Sequence, residues 1–127
     1  SMLSNKFSVV TTLARSVPAL EHNLIRYGLM ARCVRVRSSE VPVLDLESEK
    51  DQAHILISEE IRRSIVEDRA EAIVLGCAGM TDMAQNLSKE HGLPVLDGVV
   101  CAVSLCESMV RLNLRTSRLG GYAAADS

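Results

Sequence analysis

Four short apolar runs alternate along the chain with longer stretches whose apolar residues recur every three or four positions. Phe7-Ser8-Val9-Val10-Thr11-Thr12 is β-branched and uncharged, which predicts a buried strand. Ser16-Val17-Pro18 then reads as an N-cap with proline in the first helical turn, and the helix runs through Ala19 to Tyr27, with Gly28 as its C′ residue. Cys33-Val34-Arg35-Val36-Arg37 alternates and sets two arginines on one side, the pattern of a partly wetted edge strand. After a turn region around Pro42, residues Ser48 to Asp68 carry Ala53, Leu56, Ile57, Ile61, Ser64 and Ile65 at helical spacing. Glu59, Glu60, Arg62 and Arg63 on that helix predict a solvated face with i,i+4 pairing.

Ala72-Ile73-Val74-Leu75-Gly76 is a second wholly apolar strand and runs directly into Cys77-Ala78-Gly79-Met80. A helix from about Thr81 to His91 follows, stopped by Gly92, and then Pro94-Val95-Leu96 predicts another strand. Asp97-Gly98 opens a last helix, expected to reach about Thr116, and Asp97 suits its N-cap. This helix is apolar over a wide arc, which predicts cover on more than one side and hence a partner surface. Residues 1–116 therefore form one α/β lobe, and the aperiodic stretch 117–127 is expected to be a mobile tail. Strand–helix alternation of this kind predicts a doubly wound, four-stranded parallel sheet of order 2-1-3-4 with helices on both faces.

Composition narrows the function classes. With 127 residues, 47% of them hydrophobic, the chain can bury a core without staples. A formal charge of −2 and only three aromatic residues (Phe7, Tyr27, Tyr122) give no basis for nucleic-acid or anionic-membrane partners. The four cysteines are spaced without a Cys-x-x-Cys pair or a Cys/His pair at ligand spacing, so no structural zinc site is expected, and with neither a P-loop nor a GxGxxG no cofactor site is expected. Reduced thiols, with no signal peptide or membrane-length apolar run, predict a cytoplasmic protein.

In a doubly wound sheet, ligands bind beyond the carboxyl ends of the strands where the strand order reverses. For order 2-1-3-4 that point lies between the first and third strands, at Thr11-Thr12 and Gly76-Cys77-Ala78-Gly79. Cys77 stands just before a helix, where free amides and the helix dipole favour a thiolate, the form that acts as base or nucleophile. The amides of Ala78, Gly79 and Met80 could hold a carboxylate or an enolate oxygen, and the hydroxyls of Thr11 and Thr12 could donate to it. Spacing alone also admits a thiol that merely fills space and threonines that are ordinary strand residues. Cys101 and Cys106, on a helix among apolar neighbours, are expected in the core; Cys33 lacks a partner, His22 and His54 stand isolated, and His91 complements a helix end.

Gly76-Cys77-Ala78-Gly79-Met80, together with Phe7 to Leu13, Pro42-Val43-Leu44, Ile73-Val74-Leu75 and Pro94 to Val99, resembles the hydantoin/allantoin racemases of the aspartate/glutamate racemase superfamily. Thr116-Ser117-Arg118 and Gly120-Gly121-Tyr122 are similar to the end of those enzymes. The resemblance implies a cofactor-independent racemase with two lobes facing a cleft and a cysteine on each side of the substrate carbon. Cys77 matches the second cysteine; the first is expected in an amino-terminal lobe outside this chain, so the fragment alone is expected to be inactive. The expected partners are a hydantoin- or allantoin-type small molecule, the missing lobe and further copies of the chain. Two other readings fit: a single-cysteine malonate decarboxylase-like enzyme, and a non-catalytic ligand-binding module.

Overall fold

A computed structural model describes residues 2–41, 50–76 and 81–125. Four strands, β1 (Phe7–Thr11), β2 (Cys33–Ser38), β3 (Ala72–Leu75) and β4 (Val95–Asp97), form one parallel sheet in the order β2-β1-β3-β4. This is the expected doubly wound α/β arrangement, and its order reverses between β1 and β3. Helices α1 (Val17–Arg26), α2 (Lys50–Glu67), α3 (Thr81–His91) and α4 (Gly98–Arg111) alternate with the strands.

Side-chain alternation divides the core in two. Val10, Ile73, Leu75 and Val95 face α2 and α3, where Ile57, Ile61 and Leu87 are completely buried. Phe7, Val9, Val36 and Ala72 face α1 and pack on Leu24, with Leu20 and Val74 at the margin. The α2 stripe is narrower than its sequence suggests: Ala53, Ile57, Ile61 and Ser64 are buried, whereas Leu56 lies one position off and is 41% exposed.

Several local expectations are corrected. Ser16 makes no side-chain cap; a 3-10 turn, Ala14–Ser16, leads into α1 and puts Ser16 in helical backbone geometry. Gly28 does close α1, at φ 70°, with Leu29 N–H donating to Leu24 C=O at 2.8 Å. The last helix stops at Arg111 instead of about Thr116. Asn113 takes φ 59°, its N–H donates to Val110 C=O, and Leu114 N–H donates to Met109 C=O, a Schellman closure that asparagine tolerates. Cys101 and Cys106 are exposed and not in the core, because every residue of α4 is exposed.

The edge strand also differs from expectation. Arg35 is exposed, but Arg37 is buried against α2 and its end. Its Nε and Nη2 donate to the two Asp68 oxygens at 2.7 and 2.8 Å, Nη2 also reaches Glu67 at 2.7 Å, and Nη1 reaches Glu60 at 3.3 Å. The Arg37 guanidinium holds the Asp68 carboxyl below its usual range, chiefly through these hydrogen bonds. Glu60 therefore ties β2 to α2 besides pairing with Arg63 at 3.2 Å. On the outer side of α2, His54 is not isolated: its Nε2 lies 2.8 Å from Glu90. Ser58 Oγ donates to Glu90 at 2.7 Å and lies 2.8 Å from His91 Nε2, latching α2 to α3.

Candidate functional site

The carboxyl ends of β1 and β3 lie side by side where the order of the sheet reverses. Gly76 N–H donates to Val10 C=O at 2.8 Å, extending the β1–β3 ladder one residue beyond the strand. A side chain at Gly76 would stand 3.1 Å from Thr11 Cβ, 3.2 Å from Leu20 Cδ1 and 3.3 Å from Val9 Cγ1. Glycine lets the chain run this close to β1 immediately before Cys77 without pushing those neighbours aside.

Thr11 and Thr12 are both buried to 2% exposure at this point. Of the residues the sequence singled out, the structure thus brings Thr11 against Gly76 and keeps Thr12 beside it in the chain. Cys77, Ala78, Gly79 and Met80 lie outside the described residues. The helix that follows them, α3, begins at Thr81, so Cys77 stands four positions ahead of a helix start.

The neighbouring loop is braced by residues that sequence reasoning passed over. Buried Ser39 donates its N–H to Thr11 C=O at 2.9 Å, and its hydroxyl donates to the same oxygen at 3.2 Å. Glu40, at φ 59°, accepts from Ala14 N–H at 3.1 Å and from the Ser38 hydroxyl at 2.6 Å. These bonds join the loop after β1 to the loop after β2. The sequence signal was slight, a Ser-Ser-Glu in a turn region, and the contacts are all long-range or within the turn itself.

Asp97 ends β4 on the other flank of β3 and is 4% exposed. Its carboxylate accepts from Val99 N–H at 2.7 Å, the capping role expected of it. Cys33 sits at the opposite, amino-terminal end of β2; its thiol donates to Arg35 C=O at 3.6 Å, a partner the sequence did not reveal. Burial pushes this thiol up, which makes it unreactive near neutrality. Among the described residues no group of three or more His, Cys, Asp or Glu is arranged to hold a metal ion, and no helix is long and apolar enough to cross a membrane.

Comparison with known proteins agrees with this geometry. The profile of the family described as Asp/Glu/Hydantoin racemase matches residues 1–106. A hydantoin racemase from Rhizobium meliloti is 45% identical over 121 residues, covering 95% of this chain and 50% of the relative. A hydantoin racemase from Pseudomonas sp. (strain NS671) is 43% identical over 96% of this chain and 49% of its own length. The crystal structure of an allantoin racemase from Pseudomonas fluorescens superposes with a TM-score of 0.92 at 43% identity, covering 99% of this chain and 54% of that one. An allantoin racemase from Klebsiella pneumoniae also gives 0.92, at 42% identity over 96% of this chain and 50% of its own. The chain spans about half the length of the curated relatives it matches. With a family match over most of its residues and the same fold as the solved racemases, the chain belongs to the Asp/Glu/Hydantoin racemase family.

Proposed function

We propose that this chain supplies one side of the active site of a cofactor-independent racemase, acting on a carbon α to a carbonyl in a hydantoin- or allantoin-type ring. The observation that carries the reading is the seating of Gly76 against Thr11 at the point of strand reversal, directly ahead of Cys77. It supports the reading because a topological switch point is where open α/β sheets bind ligands.

In the proposed reaction, one thiolate removes the α-hydrogen as a proton and becomes a thiol, leaving the electron pair in a planar enolate. A thiol on the opposite face returns a proton to that carbon and becomes the thiolate, so charge and proton count are unchanged. Cys77 is the catalytic group on this side, favoured as an anion by the approaching helix start. The hydroxyls of Thr11 and Thr12 and the amides of Ala78, Gly79 and Met80 bind the substrate and steady the enolate oxygen. The second thiol belongs to a complementary half. Cys33 lies at the far end of the sheet, and Cys101 and Cys106 lie within α4, not in a strand-to-helix loop. By itself, the chain is inactive.

Co-expression with the amino-terminal half of a related hydantoin racemase tests this, with loss of optical activity of a substituted hydantoin or allantoin as the readout. Activity is expected with both halves and from neither alone, and Cys77→Ser is expected to lower it about 10²–10⁴-fold. Undiminished racemisation by that variant overturns the reading, and so does release of carbon dioxide from a disubstituted malonate without racemisation. Iodoacetamide at neutral pH is expected to label Cys77 roughly tenfold faster than Cys101 and Cys106.

A further inference from the structure

Residues 11–14 lead from β1 into the 3-10 turn, and the loop after β2 grips them at both ends. At the first end, Ser39 N–H donates to Thr11 C=O at 2.9 Å, one residue past the β1–β2 ladder, and the Ser39 hydroxyl adds a second bond to the same oxygen at 3.2 Å. At the other end, Glu40 Oε1 accepts from Ala14 N–H at 3.1 Å, one of the amides that a helical turn leaves without an internal partner. Ser16 N–H closes that turn onto Leu13 C=O at 3.0 Å. Thr12 is held between the two grips and is 2% exposed. The grip has a conformational cost. Glu40 sits at φ 59°, the left-handed region that a residue with a Cβ enters only against steric resistance, and the Ser38 hydroxyl fixes its carboxylate at 2.6 Å.

We propose that Ser39 and Glu40 are positioning residues for the candidate site, fixing the backbone of Thr11 and Thr12 and through it the aim of their hydroxyls at the substrate oxygen that becomes the enolate. This role rests on the racemase reading and adds to it two residues that touch no substrate themselves. Strand pairing needs one donor on Thr11 C=O, and Ser39 N–H supplies it; the hydroxyl is the extra bond. Two donors on one carbonyl fix its direction, and the rigid peptide plane carries that direction on to Thr12. From the opposite side Gly76 crowds Thr11, so the strand end has little room to turn. Groups that steady a developing charge work best when they are aimed before the charge arrives, and a misplacement of about 1 Å can cost about 10²-fold in rate. A left-handed glutamate held by two hydrogen bonds is the strained element through which this loop obtains that rigidity.

The two co-expressed halves, assayed on a substituted hydantoin, read the effect. Ser39→Ala and Glu40→Ala are each expected to lower kcat about tenfold with KM changed less than about twofold, because the substrate oxygen gains its charge only on the way to the enolate. Glu40→Gln keeps an oxygen acceptor for Ala14 N–H and should hold kcat within about twofold of the parent. Glu40→Gly separates positioning from mere stability. It relieves the left-handed backbone, so its urea midpoint should be no lower than that of Glu40→Ala, yet its kcat should fall as far because the acceptor is gone. A Glu40→Gly enzyme with parental kcat overturns the positioning role, as does an unaffected Ser39→Ala or a Glu40→Gln as slow as Glu40→Ala. Cys77→Ser, run alongside, tells the two readings apart. If it is inactive while the Ser39 and Glu40 variants match the parent, only the positioning role falls; if it is fully active, or the paired halves do not racemise, the racemase reading falls and the positioning role with it.

Discussion

The two faces of the sheet differ in how completely they are covered. On the α2/α3 face, Ile57, Ile61, Ile73 and Leu87 are sealed, and two polar clusters, Arg37 with its carboxylates and Ser58 with Glu90 and His91, lock the helices in place. On the α1 face, a single helix among the described residues packs against β1 and β2, and Val74 remains half-buried over a groove. One face of the domain is therefore finished by this chain alone. The other is left partly open by the described residues, and the candidate site lies at the ends of strands that belong to both.

Substitutions sharpen that contrast. Ile61→Ala on the closed face removes a fully buried side chain and is expected to cost about 2–5 kcal/mol in chemical denaturation; a loss below about 1 kcal/mol would show that this face is not the tighter one. Arg37→Met should cost about 3–5 kcal/mol, because it leaves Asp68 facing α2 without its cation. The same pair sets an acid limit. Asp68 has a lower pKa folded than the about 3.9 of an unfolded aspartate, so its contribution is complete above that value. It is lost as the pH falls from about 4 through the folded pKa, and in Arg37→Met that part of the acid loss should disappear from the denaturation profile.

Gly76→Ala comes next. Its new methyl must displace Thr11, Leu20 or Val9, and about 1–3 kcal/mol of destabilisation is expected, with the carboxyl end of β1 shifting. Val103→Glu on α4 should be the mildest. Its unfolding free energy should stay within about 0.5 kcal/mol of the parent, because Val103 is exposed. A large loss would mean that α4 contributes to the core after all.

Much of this architecture was legible along the chain. Short uncharged, β-branched or apolar runs at Phe7–Thr12 and Ala72–Leu75 read as buried strands, and Gly28 and Gly92 each took the positive φ that ends a helix. What escaped notice was set by tertiary contact. Arg37 looks like a wetted edge residue until Asp68, Glu67 and Glu60 arrive from 23 to 31 positions away. Cys101 and Cys106 look like core residues because apolar neighbours predict burial, yet every residue of α4 is exposed. At the site, the threonines and Gly76 could be placed from topology alone, because strand order fixes where ends meet. The bracing by Ser39 and Glu40 could not, since it depends on how one loop leans on another.

The position of Tyr27 has a practical consequence. The chain has no tryptophan, and its two tyrosines are Tyr27, on the rim of the groove, and Tyr122, near the carboxyl end. With Tyr122 replaced by phenylalanine, ultraviolet emission from the protein would come from a single phenol at the mouth of that groove. Any occupant that dries the ring would change its brightness and its accessibility to a dissolved quencher, so the open face carries a built-in optical gauge of its own filling.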